Sequence, residues 1–183
     1  MTVRVLIAYG SRMGSTAEIA EAIGRELRAH GAEVDVVPAE RVDSVRAYES
    51  VIVGSAIYAG RWRRAPLNLL RRNTIDLMHR HVWLFQSGLS AVGPGPWKDA
   101  TPPAVARLAR IIGAANPVAF PGRLTRETAR GVIPRLFARG PGAGDHRDWD
   151  RIRGWAADVA RQIVPADPAG GVSRAPGGAG HGP

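Results

Sequence analysis

Ser11-Arg-Met-Gly-Ser-Thr16 gathers three hydroxyl side chains and a glycine into six positions. Residues of this kind can hold a phosphate. Backbone N–H groups and hydroxyls donate, small residues allow close approach, and the positive end of a following helix adds a favourable field. The flanking elements suit that chemistry. Val3-Arg-Val-Leu-Ile-Ala-Tyr9 is an apolar run fit for a central strand of a parallel sheet and too short for a membrane span. Ile19, Ile23 and Leu27 recur at i, i+4, i+8 and predict a helix whose apolar face packs back on the sheet.

The loop is neither of two familiar nucleotide loops. Lys98 is the first lysine in the chain, so the lysine of G-x-x-x-x-G-K-[ST] is missing, and Gly10 and Gly14 do not make G-x-G-x-x-G. Ser15 and Glu18 also have the spacing of a capping box, which would account for the hydroxyl with no ligand at all.

Two further strand-to-loop transitions repeat the arrangement. Ser50–Ser55 leads into Ala56-Ile-Tyr-Ala-Gly60, and Val82–Ser87 leads into Gly88-Leu-Ser-Ala. Strands are also predicted at Glu33–Val37 and Asn116–Phe120. Thr101 with Pro102 predicts an N-cap and helix start, continued by Val105, Leu108 and Ile112. Ile152, Trp155, Ala156, Val159 and Ile163 predict a final helix. Alternating β and α elements imply a parallel sheet covered on both faces, with ligands beyond the strand C-termini at the switch point. The three loops all follow such C-termini.

A chain of 183 residues suffices for one domain with a substantial core. Residues 1–164 are expected to form it, and the Gly/Pro/Ala-rich 165–183 to be a disordered tail. Cysteine is absent, which excludes disulfides and thiolate metal sites, and the five histidines show no metal-ligand spacing, so no metal is expected. His79 and His81 read as a solvated helix end. No leader or membrane span is recognisable, and a cytoplasmic location is expected. There is no G-x-S-x-G elbow and no acidic cluster after the first strand, which disfavours a nucleophilic triad and a phosphoacceptor.

The net charge of +9 is concentrated. Residues 61–81 hold six arginines against Asp76 and residues 123–139 five against Glu127, whereas residues 1–60 sum to −2. A basic rim suits carboxylate-bearing substrates or an anionic membrane surface; nucleic acid is disfavoured for want of a recognisable motif. Arg61, Trp62, Arg63 and Arg64 are the candidate rim, with Tyr58 and Trp62 open to either a ligand-flanking or a core role. In 125–139, Ala129, Val132, Ile133, Leu136 and Phe137 line one face among arginines. That segment is expected either to touch anionic lipid at the inner face of the cell membrane or to pack on the domain.

Ser11-Arg-Met-Gly-Ser-Thr16 resembles the T-x-T-G-x-T phosphate loop for flavin mononucleotide (FMN) in the flavodoxin family, with Met13 in place of one hydroxyl residue. Val51–Gly60 and Arg147-Asp-Trp-Asp150 resemble one branch, the flavodoxin-like menaquinone-dependent protoporphyrinogen oxidases. The resemblance implies a three-layer sandwich on a five-stranded parallel sheet of order 2-1-3-4-5. It implies FMN bound by Ser11, Arg12, Met13, Gly14, Ser15 and Thr16, by Ala56, Ile57, Tyr58, Ala59 and Gly60, and by Ser87, Gly88, Leu89 and Ser90. It further implies protoporphyrinogen IX as an anionic substrate and a quinone or redox partner as acceptor. The alternatives are an electron-carrying flavodoxin, or a docking module that has lost FMN.

Overall fold

The structure, a computed structural model, describes residues 2–88, 100–124 and 144–164. Its elements alternate as the apolar patterning requires. β1 (Arg4–Gly10) is followed by α1 (Ser15–Ala29), β2 (Glu33–Pro38), a 3-10 turn at Ala39–Arg41 and β3 (Ser50–Tyr58). Next come β4 (Arg61–Trp62), α2 (Arg64–Arg72), α3 (Thr74–Met78), β5 (His81–Gly88) and α4 (Pro103–Ile111). The last elements are β6 (Val118–Pro121), β7 (Arg123–Leu124), β8 (Gly144–Asp145) and α5 (Trp149–Ile163). The main sheet runs β2-β1-β3-β5-β6 with every pairing parallel, and β4 pairs with β3 off that path. Setting the two-residue β4 aside, this is the expected 2-1-3-4-5 order. β7 and β8 form a separate antiparallel ribbon.

Both faces of the sheet are covered, and successive residues in a strand point to opposite faces. Val5 and Ile7 of β1, Ile52 of β3 and Phe85 of β5 join one core with Ile19, Ile23 and Leu27 of α1 and Ile152, Ala156 and Val159 of α5. Their neighbours Leu6, Ala8, Val51, Val53 and Leu84 join the other core, with Leu69, Leu70, Leu77, Val105 and Leu108 from α2, α3 and α4. Each fully buried aliphatic side chain contributes about 1.5–3 kcal/mol of transfer free energy.

Phe85 explains one sequence choice. Its ring fills the space above Gly54, where an added Cβ would lie 2.0 Å from the ring. Phe120 and Trp155 close the same cluster, with centroids 6.1 and 6.3 Å from Phe85. Trp155 is thus a half-buried edge of the core that links α5 to the sheet.

Several boundaries differ from the expectation. β3 continues through Tyr58 because the chain turns back immediately and β4 supplies its hydrogen-bonding partner, with Ile57 opposite Trp62 and Tyr58 opposite Arg61. Pro102, not Thr101, caps α4, and Pro103 takes the first helical position, where a missing N–H costs nothing. Asp148 caps α5 by accepting the Arg151 N–H at 3.0 Å. The 125–139 segment and the 165–183 tail lie outside the described residues, as do Leu89 and Ser90. Among the described residues no helix is long and apolar enough to cross a membrane.

Candidate functional site

The parallel register aligns the C-terminal ends of three strands: Gly10 lies opposite Ser55, Ser55 opposite Gln86, and Ala56 opposite Ser87. The first loop therefore starts beside the ends of β3 and β5. Gly14 holds a left-handed conformation (φ 86°) that turns the chain into α1. The first helical bond is Glu18 N–H to the Gly14 carbonyl. The amides of Ser15, Thr16 and Ala17 precede it and point out of the N-terminus, where an anion is stabilised.

The hydroxyls do more than face a ligand. Ser11 Oγ accepts the Gly14 N–H at 3.1 Å, which shapes the loop from within. Ser15 Oγ accepts the Arg123 backbone N–H at 3.1 Å. Both keep an O–H to donate. Thr16 Oγ1 and Ser87 Oγ share a 2.8 Å hydrogen bond and are buried. That bond ties the first turn of α1 to the end of β5. Arg12 is exposed, and Met13 and Gly14 are half-buried.

The capping box is absent. Ser15 is the first helical residue and not the cap, and no side chain caps Gly14. Glu18 instead pairs with Arg123 and Arg147, each at 2.5 Å. Burial pushes the Glu18 carboxyl up, but the hydrogen bonds and charges of Arg147 and Arg123 outweigh it and hold the group below its ordinary value.

The second loop is tighter than expected. Ala59 and Gly60 both have positive φ (48° and 70°), the signature of a type I′ turn, and they sit exposed at the tip of the β3–β4 hairpin. Ala56 is buried, and Ile57 and Tyr58 are half-buried. Burial raises the Tyr58 phenol above its usual range, against a pull from the charges of Arg63 and Arg12, so it remains protonated at neutral pH.

Trp62 is not an exposed rim residue. Its side of β4 faces the core, it is 4% exposed, and its Nε1–H donates to Gln86 Oε1 at 3.1 Å. It packs in the core, and it also lines the cleft described below. Gln86, itself buried, donates in turn to the Ala100 carbonyl at 3.1 Å. Ser55 Oγ accepts the Arg63 N–H at 2.9 Å and fixes the hairpin to the start of α2. Ser87 and Gly88 end β5, and Gly88 accepts the Gly122 N–H at 3.2 Å.

Arg61, Arg63 and Arg64 are exposed and, with Tyr58, Ala65, Gly10, Ser11 and Glu40, surround a cleft of about 460 Å³ that Trp62 also lines. The basic 61–81 stretch is thus divided by role. Arg72 donates to the Val42 carbonyl and Arg80 to the Tyr48 carbonyl, both bracing the chain before β3. Sequence spacing missed Gln86, Ser55, Glu18 as an ion-pair partner, Arg123 and Arg147. The ion pairs span long separations along the chain, 105 residues for Arg123–Glu18 and 129 for Arg147–Glu18.

A family model described as a flavodoxin domain matches residues 6–105, which run from β1 into α4 and include all three loops. The chain belongs to the flavodoxin domain family. Solved structures share the fold of this flavodoxin domain at low identity. Oxidised flavodoxin 1 from Bacillus cereus superposes with a TM-score of 0.63 at 15% identity, covering 88% of this chain and 99% of that one. A flavodoxin from the domain Archaea gives 0.57 at 18% identity, covering 88% and 99%. Rubredoxin oxygen:oxidoreductase from Desulfovibrio gigas gives 0.59 at 17% identity, covering 87% of this chain but 36% of that one. No curated protein matches the chain in sequence at a significant level.

FMN is the cofactor of the flavodoxin family, and the residues present fit its phosphate. The amides of 15–17 are available, Ser11 and Ser15 keep a proton to donate, and nothing stands closer than 3.7 Å to where a Cβ on Gly14 would be. The Thr16 hydroxyl, expected to face the phosphate, shares a hydrogen bond with Ser87, in which either oxygen can donate.

Proposed function

We propose that this chain is an FMN-binding redox protein that passes electrons in the manner of a flavodoxin. The observation that carries this is the Thr16–Ser87 bond. It joins the anion-binding N-terminus of α1 to the end of β5, the strand beside β3 and its β3–β4 hairpin. FMN bound there supplies the electron-transfer chemistry. The chain's part is to hold the phosphate with the 15–17 amides and the Ser11 and Ser15 hydroxyls, and to set the polarity beside Tyr58 and Gly88. Purified protein should show a flavin visible spectrum, and the released chromophore should be FMN. A colourless protein that takes up no flavin overturns the reading.

One observation favours a second reading, an oxidase for an anionic substrate such as a porphyrinogen, with a quinone as acceptor. Arg61, Arg63 and Arg64 converge on a cleft that also touches Ser11 of the first loop. Guanidinium groups so placed suit carboxylates. The same rim would equally steer an acidic redox partner. Porphyrinogen oxidation assayed with a quinone separates the two: turnover supports the oxidase, and an FMN-loaded protein without turnover supports the carrier. Contact of 125–139 with anionic membrane remains part of the oxidase proposal only.

A further inference from the structure

A carboxylate stands at the mouth of the phosphate loop. A Cβ on Gly14 would lie 3.7 Å from Glu18 Oε1 and 3.9 Å from Arg123 Nη2. Left alone, Glu18 would repel a phosphate dianion on the 15–17 amides. The chain brings two guanidinium groups to it, and they differ. Arg147 is saturated: it pairs with Glu18 and with Asp145, its side chain is 4% exposed, and its guanidinium lies 4.5 Å from the Trp149 ring centroid. Arg123 is not. Its one ion-pair partner among the described residues is Glu18, and its Nε is enclosed with no acceptor. Its backbone N–H is held by Ser15 Oγ, so the residue is anchored on the first turn of α1. A guanidinium carries five N–H donors, and that of Arg123, with its Nη2 near Gly14 and its side chain 22% exposed, has donors left for a second anion beyond Glu18.

We propose that Arg123 is a phosphate-binding residue of the cofactor site, held ready beside Gly14 by Glu18, which Arg147 in turn fixes in place. The proposal rests on the FMN reading above and adds to it a charged ligand from outside the three loops, on the ribbon that follows β6. Glu18 acts as an internal anion that orients Arg123. When a phosphate monoester sits on the loop, the guanidinium bridges the two.

The test compares FMN with riboflavin, which has the same ring system and no phosphate, by quenching of flavin fluorescence on the full chain stripped of cofactor. Arg123→Gln should weaken FMN about 10- to 100-fold, the effect of losing a charge-assisted contact, and leave riboflavin unchanged. Arg123→Lys should recover part of the loss. Glu18→Gln removes the carboxylate that repels the phosphate and also the group that orients Arg123, so FMN affinity should fall by less than in Arg123→Gln. Far-UV circular dichroism reports folding of each variant. If Arg123→Gln does not fold, Arg123→Lys and Glu18→Gln decide: weaker FMN in the first, with riboflavin unchanged in both, supports the proposal. Unchanged FMN affinity in either Arg123 variant overturns it, as do parallel losses of FMN and riboflavin, or a loss in Glu18→Gln equal to that in Arg123→Gln. Wild-type protein that binds neither flavin fails the FMN reading itself, and this proposal with it.

Discussion

Thr16 and Ser87 offer the sharpest test of how the site is assembled. Their hydroxyls are 2.8 Å apart, and the residues are 1% and 3% exposed, so neither has water as a substitute partner. Ser87→Ala leaves the Thr16 hydroxyl enclosed and unpaired, and Thr16→Val does the same to Ser87. An unsatisfied buried hydroxyl costs about 1–3 kcal/mol, so each single variant should lose stability in that range. The double variant leaves no polar group unpaired and nearly preserves the shape. It should be destabilised by less than the sum of the singles, with a coupling of about 1–2 kcal/mol. Urea unfolding of the four proteins, followed by tryptophan fluorescence and circular dichroism, measures this directly. FMN affinity should fall in both singles and stay reduced in the double variant, because the start of α1 and the end of β5 are then no longer tied. Additive losses, with no coupling beyond about 0.3 kcal/mol, would refute the bond.

Three other outcomes follow from the same structure. Gly54→Ala should cost about 1–3 kcal/mol or more, read as a lower urea midpoint, because Phe85 is boxed in by Phe120 and Trp155 and cannot give way. The ion pairs of Glu18 and Asp145 should fail in acid. Glu18 is lowered because Arg147 and Arg123 overcome its burial, and Asp145 is lowered chiefly by its hydrogen bond from Arg147. A depressed carboxyl contributes fully above its unfolded value, roughly 4, and loses that contribution as pH falls through the lower folded value. With both side chains more than 40% exposed, screening limits the effect to under about 1 kcal/mol, so the gap in melting temperature between wild type and Glu18→Gln should be small at pH 7 and close below pH 4. Charge reversal at Arg61, Arg63 or Arg64 should raise KM for an anionic substrate, or slow association with an acidic redox partner, by about threefold to tenfold while leaving FMN affinity unchanged in a titration.

The fold was legible because its cause is local and repeated. Apolar runs such as Val51–Val53 and helix faces such as Ile19, Ile23 and Leu27 carry their own periodicity, and the alternation of elements constrains the rest. The site was legible in position and less so in function. Strand C-termini announce where ligands go, yet no local pattern says that Thr16 meets Ser87 across 71 residues, or that Glu18 serves Arg123 and Arg147 and not a capping box. The Ala59-Gly60 turn escaped notice because it lacks the Asn-Gly or Asp-Gly signal of such hairpins, and a two-residue strand has no periodicity to read. Trp62 shows the same limit. Its neighbours Arg61 and Arg63 are exposed, and only the pairing of β4 with β3 determines that the indole between them turns inward to Gln86.

The central claim is that the N-terminus of α1 holds the FMN phosphate, and amide NMR tests it most directly. Nitrogen-15 labelled protein stripped of cofactor is titrated with FMN and, separately, with riboflavin. FMN should shift the amides of residues 12–17 strongly, riboflavin should leave that group nearly in place, and both should move Tyr58 and Gly88. Shifts at 12–17 that are identical for the two flavins, or FMN shifts that bypass this loop, would contradict the account.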